Sequence, residues 1–187
     1  MMMTSFLEPL RTSCEARRIP LISRETEAFL QRLLEKKQPN SVLEIWTAVG
    51  YSSIAMAQQI ASWGGKVVSF EIGYAAYLQA LKNIKWAKVR NCILYPFDIR
   101  EIVWERFFFQ KFDFVFIDAQ KSQYGDYLQY IQRYLYPENT LLLDDVIKYQ
   151  NKLSSLYSFL EKKQIDYQIF STEPGDGVML IENFPVQ

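Results

Sequence analysis

The chain has 187 residues, 49% apolar and 16% aromatic, with 21 Lys+Arg against 21 Asp+Glu and no histidine. That length and apolar content predict one globular domain with a full core and exclude a disordered chain. Zero net charge removes any global electrostatic drive toward DNA or a membrane surface, and the missing histidine excludes His-based triads, His metal sites and a His general base.

Residues 1–23 read as an N-terminal arm and 24–187 as the core of a single domain. A first helix over 24–37 carries Phe29, Leu30, Leu33 and Leu34 on one stripe and stops near Pro39-Asn40. SVLEIW (41–46) is a strand, 51–63 a helix ending at Gly64-Gly65, and KVVSFE (66–71) the next strand. Tyr74, Tyr77, Leu78 and Leu81 at helical spacing mark another helix, then NCILYPF (91–97) a third strand and about 98–109 a helix. FDFVFID (112–118) is a buried strand, followed by a helix with Tyr124, Tyr127, Leu128, Ile131 and Leu135 inward. NTLLLDD (139–145) is a fifth strand and 152–163 a helix. The last two strands, about 166–171 and 177–182, flank the turn 174-PGDG-177 and form an antiparallel hairpin at one edge.

Repeated strand-helix units with charge-poor strands predict an α/β fold, a Rossmann-like doubly wound seven-stranded sheet, mostly parallel with a C-terminal antiparallel hairpin. No apolar run reaches the ~20 residues of a membrane span. The start, MMMTSFLEPLRTSCEARR, lacks the basic region and apolar core of a signal peptide, and Cys14 and Cys92 make neither a disulfide framework nor a zinc cluster. The expected setting is the cytoplasm.

In such sheets ligands bind beyond the carboxyl ends of the strands. Acids are depleted in strands, yet Glu44 lies late in the first one, and Glu71, Asp98, Asp118 and Asp144-Asp145 mark the ends of the next four. Glu71 lies 21 residues beyond Gly50, the spacing of an acid that accepts from a ribose diol. Asp98 with Glu101 also fits a helix capping box. Asp118, Asp144 and Asp145 cannot all be anionic and close without a counter-charge. All-oxygen ligands favour Mg²⁺, Mn²⁺ or Ca²⁺; turn capping or pairing with Lys121 or Lys148 is the alternative. Beside a divalent cation the Lys121 pKa would fall toward that of a general base.

These residues resemble the cation-dependent, S-adenosylmethionine-dependent O-methyltransferases of the catechol and caffeoyl-CoA type and their small bacterial relatives. VLEIWTAVGYSSIAMA is similar to that family's first motif, VVSFEIG to its ribose-binding strand end, FDFVFIDAQKSQY to its (Y/F)DxxFIDAxKxxY, and LLLDDV to its metal-binding DN pair. RIPLIS and GDGVMLI extend the likeness over about residues 17–182. The resemblance implies that Glu44, Gly50 and Ser52 line the methionine end of the cofactor, Glu71 the ribose and Asp98 the adenine side, with Asp118 bordering the cofactor. It makes Asp118, Asp144 and Asp145 the metal ligands and Lys121 the base. The implied reaction is methyl transfer to one hydroxyl of a catechol-like or vicinal-diol small molecule, with the metal chelating both oxygens.

Three positions depart from the pattern: Trp46 for a glycine, Asp145 for an asparagine, and Gly73 where Asn or Asp often follows the ribose acid. The Trp46 indole either takes the space of the cofactor's amino-acid tail or enters the neighbouring helix layer. Trp46 also motivates a second reading, a degenerate methyltransferase fold kept as a binding protein. A nicotinamide-dependent dehydrogenase is disfavoured by a single glycine in the first turn. The resemblance also permits a transfer-RNA hydroxyuridine acceptor, with a basic patch from Arg11, Arg17, Arg18 and Lys148. It implies a homodimer, for which the N-terminal segment offers a contact.

Overall fold

Charge-poor runs rich in Val, Ile, Leu and Phe become the strands, because each is buried on two faces. In the computed structural model, which describes residues 6–101 and 111–186, they are β1 (Ser41–Ile45), β2 (Lys66–Phe70), β3 (Cys92–Tyr95), β4 (Phe112–Ile117), β5 (Leu135–Leu143), β6 (Gln168–Glu173) and β7 (Asp176–Glu182). The sheet order is β3-β2-β1-β4-β5-β7-β6. β1 pairs in parallel with β2 and β4, and β7 runs antiparallel to both β5 and β6.

The C-terminal hairpin is present, with one refinement. The later strand slips between β5 and β6, so β7 is buried along almost its whole length and β6 forms the exposed edge. That follows from composition, since GVMLI is apolar throughout and QIFSTE is not.

Six helices flank the sheet among the described residues: α1 (Leu7–Ala16), α2 (Arg24–Lys37), α3 (Tyr51–Ile60), α4 (Tyr74–Trp86), α5 (Tyr124–Ile131) and α6 (Ser154–Lys163). Strand side chains alternate between two cores. Val42, Phe114, Phe116 and Leu142 meet Leu30, Leu34, Ile54 and Ala80 of α2–α4 on one face. Leu43, Ile45, Val115 and Ile117 meet Tyr124, Leu128, Leu156 and Leu160 of α5 and α6 on the other.

The segment read as an arm contains α1, which is docked on the domain. Arg11 is only 4% exposed. Its guanidinium donates to the Tyr51 hydroxyl (3.1 Å), the Ile22 carbonyl (3.1 Å) and Glu27 (2.9 Å). Tyr51 in turn donates to the same Glu27 oxygen at 2.9 Å. Arg11 is therefore withdrawn from the basic surface patch drawn from the sequence.

The helix expected over 51–63 stops at Ile60 and finishes as a 3₁₀ turn, Ala61–Trp63, closed by left-handed Gly64. Of the helix expected over 98–109, Ile99–Glu101 is a 3₁₀ turn, and the remainder lies outside the described residues. β5 starts earlier and ends earlier than predicted, leaving Asp144 and Asp145 in the loop beyond it. Among the described residues no helix is long and apolar enough to cross a membrane.

Candidate functional site

The loop after β1 is shaped by left-handed backbone. Trp46, Ala48 and Gly50 have φ of 74°, 49° and 87°. Gly50 suits its place doubly, since a Cβ there would lie 3.2 Å from the Ala80 Cβ on α4. A tryptophan pays about 1–2 kcal/mol for the same conformation. Left-handed Trp46 also breaks the strand's alternation: the indole packs against the α5–α6 core, as Tyr95 and Phe97 also do. The two orientations drawn from the sequence are not exclusive: the indole packs on this core and also lines the cavity that holds Asp118, Lys121 and Asp145. Its Nε1 is buried and meets no partner at full hydrogen-bond geometry. Burial raises the Tyr127 pKa, and the indole N–H lies close enough to that hydroxyl to lower it in part.

Glu71 ties this loop to the start of α4. Its two oxygens accept from the backbone N–H groups of Ala48 (2.7 Å) and Gly73 (2.6 Å), and the residue is buried. Gly73 thus contributes its amide where a side chain was expected. A carboxylate has about four lone-pair sites, so each Glu71 oxygen keeps one for a ligand hydroxyl.

Glu44 lies directly beside Ser69 in the β1–β2 register and is fully buried. Its carboxylate accepts from the hydroxyls of Ser52, Ser53 and Ser69. Burial pushes its pKa up, against the three hydroxyl bonds that favour the anion. Asp98 is closed from another side. Burial raises its pKa, but the Arg100 fork, at 3.0 and 2.6 Å, and the Arg100 amide at 2.8 Å outweigh that and hold it low. Arg100 lies over the Tyr127 ring at 4.5 Å.

A separate constellation forms where β4 and β5 end. Lys121 is 9% exposed, and its ammonium stands between Asp118 Oδ1 (2.8 Å) and Asp145 Oδ2 (2.9 Å), with the Tyr124 hydroxyl at 2.9 Å. Burial works against its charge, but Tyr124, Asp118 and Asp145 outweigh it and raise the pKa above the ordinary lysine value. The carboxylates that surround the amine hold its charge in place.

Asp144 is 5% exposed; its Oδ1 accepts from the Asp145 amide (2.9 Å) and the Thr26 hydroxyl (3.3 Å). Burial and the neighbouring Asp118 and Asp145 push its pKa to about 8. Asp145 sits at φ 62°, left-handed backbone that Asn and Asp tolerate best, which suits either residue to this turn. It shares a hydrogen bond with Asp176: burial and that bond raise the Asp176 pKa, and the same bond helps lower that of Asp145.

The donor chemistry suits a hard cation, but the arrangement does not. Lys121 fills the gap between two of the three carboxylates, and the third is engaged by Thr26 and a backbone amide. Among the described residues, no three His, Cys, Asp or Glu side chains are grouped to hold a metal ion.

Asp118, Lys121, Asp144, Asp145 and Trp46 share the wall of one cavity of about 490 Å³, closed further by Pro20–Ser23 and by Tyr149. Glu44, Gly50, Ser52, Glu71 and Asp98 lie outside that wall. Sequence reading missed Asp176, Thr26 and Tyr149 as parts of the site. The Asp145–Asp176 and Thr26–Asp144 contacts span 31 and 118 residues, and no local period signals them.

Known proteins resemble this chain in sequence and in fold. The family model described as O-methyltransferase matches residues 4–155. A catechol O-methyltransferase of Niastella koreensis is 32% identical over 124 residues, 64% of this chain and 55% of that protein's length. Two solved structures superpose closely. One is an O-methyltransferase from Bacillus cereus in complex with SAH (TM-score 0.81, 23% identity, 97% of this chain and 92% of that one). The other is an O-methyltransferase from Streptomyces achromogenes involved in tomaymycin synthesis, in complex with SAM (TM-score 0.82, 19% identity, 98% and 91%).

Proposed function

The chain belongs to the O-methyltransferase family, and from that premise we propose that it transfers a methyl group from S-adenosylmethionine to a hydroxyl of a small catechol-like or vicinal-diol acceptor. The observation that carries the reading is the Asp118–Lys121–Asp145 centre on the wall of a ligand-sized cavity, next to the loop that follows β1. The cofactor supplies an electrophilic methyl group on a sulfonium.

Glu71 would hold the ribose diol through the lone pairs its two amide contacts leave free. Asp98, already paired with Arg100, receives no cofactor contact in this reading. At the acceptor end, Asp118 is 31% exposed and is the carboxylate best placed to take the hydroxyl proton. The Lys121 ammonium beside it would stabilise the oxyanion as it forms. Lys121 thereby acts as a fixed positive charge rather than as the base. Lys121 already pairs with Asp118 and Asp145, so no step in this reading is routed through a divalent cation.

Calorimetric titration with S-adenosylhomocysteine, followed by labelled-methyl transfer to catechol in excess EDTA, tests this. Binding and turnover are both expected, and Lys121→Met should keep cofactor binding while losing about 10²-fold in kcat. No binding at millimolar cofactor would make the chain a degenerate member of its family. Turnover lost in EDTA and restored by Mg²⁺ would return the metal to the mechanism.

A further inference from the structure

The cavity has two ends of different character. At its floor every carboxylate is engaged: Asp118 and Asp145 by Lys121, Asp144 by Thr26 and the Asp145 amide. Asp176, just behind them, accepts from the backbone amides of Lys148 and Gly177. At its mouth stand Lys148 and Lys152, both exposed and both lining the cavity. Neither ammonium makes an ion pair with a described residue. Glu173 is the acid on the same rim.

One ring joins the two ends. The Tyr149 centroid lies 5.9 Å from the Lys121 ammonium, 5.3 Å from that of Lys148 and 5.0 Å from that of Lys152. The proposed reaction centre and the two unpaired cations therefore border the same aromatic side chain. A neutral acceptor would leave both cations unused, and a cationic one would be repelled by them. Because the whole chain carries no net charge, this positive rim is a local feature and not part of a general field.

Resting on the methyltransfer reading, we propose that Lys148, Tyr149 and Lys152 form a subsite for an anionic substituent of the acceptor, making the substrate a hydroxylated aromatic carboxylic acid. The carboxylate faces Lys148 and Lys152, the ring packs along Tyr149, and the reacting hydroxyl reaches Asp118 and Lys121. Two solvent-accessible charge contacts of this kind together give about a tenfold preference, shrinking as salt screens them.

The test compares 3,4-dihydroxybenzoate, neutral catechol and cationic 3,4-dihydroxyphenethylamine on the full-length protein, by calorimetry and by initial rates. The expected order in affinity and kcat/KM is anion, neutral, cation. In K148Q/K152Q the tenfold spread should collapse toward unity, and in wild type it should narrow at high salt. Equal handling of the three compounds by wild type, or a spread unchanged in the double variant, would overturn the subsite while leaving methyl transfer standing. Charge-selective binding lost in the double variant but without any turnover would uphold the subsite and refute the methyltransfer reading. Methyl transfer confined to RNA, with none of the three compounds bound, would overturn the small-acid assignment.

Discussion

Two residues show where the sequence was informative and where it stopped. Trp46 is visibly foreign in its motif, but its φ of 74° is not written in the residues around it. That angle explains why a glycine is expected there and predicts an unusual order of variants. Trp46→Gly and Trp46→Ala both lose the indole, but only glycine escapes the left-handed strain, so it should be the more stable by about 1 kcal/mol in urea unfolding. The reverse order would contradict the backbone described here. Glu44 is the opposite case: its place late in β1 was legible, while its three hydroxyl partners were not. Burial lifts its folded pKa above the ordinary glutamate value. Its carboxyl therefore adds stability when protonated, below the unfolded value, and that contribution is lost as pH rises through the folded value. Glu44→Gln removes the titration. Relative to wild type, the variant should gain stability from about pH 4.5 upward, followed by urea unfolding across pH; a pH-independent difference would refute the assignment.

At the level of elements, periodicity found the strands and the helices with long apolar stripes, and it erred where tertiary contacts set the limits. α1 escaped notice because its stability rests on Arg11 reaching Tyr51 and Glu27, 40 and 16 residues away. The ends of α5 and α6 meet through a contact that the sequence records only as a glycine. A Cβ on Gly125 would lie 2.5 Å from the Ser155 carbonyl oxygen. The Ser155 hydroxyl bonds back to the Ser122 carbonyl at 2.8 Å, fixing the two helix starts together. Gly125→Ala should thus force α5 and α6 apart and cost about 1–3 kcal/mol. A thermal shift indistinguishable from wild type would show the contact to be relaxed. Since Lys121 and Tyr124 enter α5 from this end, displacement there would also disturb the cavity.

For the whole molecule, strand-helix alternation was enough to give the doubly wound class, because a buried parallel strand leaves an unmistakable apolar run. The assembly of the cavity was harder to read. Its members come from the segment before α2, the ends of β1, β4 and β5, and the β6–β7 turn, and only the sheet order brings them together. That order places β7 between β5 and β6, which has a consequence for biosynthesis. A ribosome releases β5 and β6 before the strand that belongs between them. Until residues 176–182 emerge, Leu141, Leu142 and Leu143 present an uncovered apolar edge, the kind of surface that recruits chaperones or other nascent chains. A chain terminated after Glu173 should accumulate in the insoluble fraction on expression, and a soluble, cooperatively melting product would refute this. The strand completing the sheet is synthesised last, so premature termination penalises solubility sooner than it penalises chemistry.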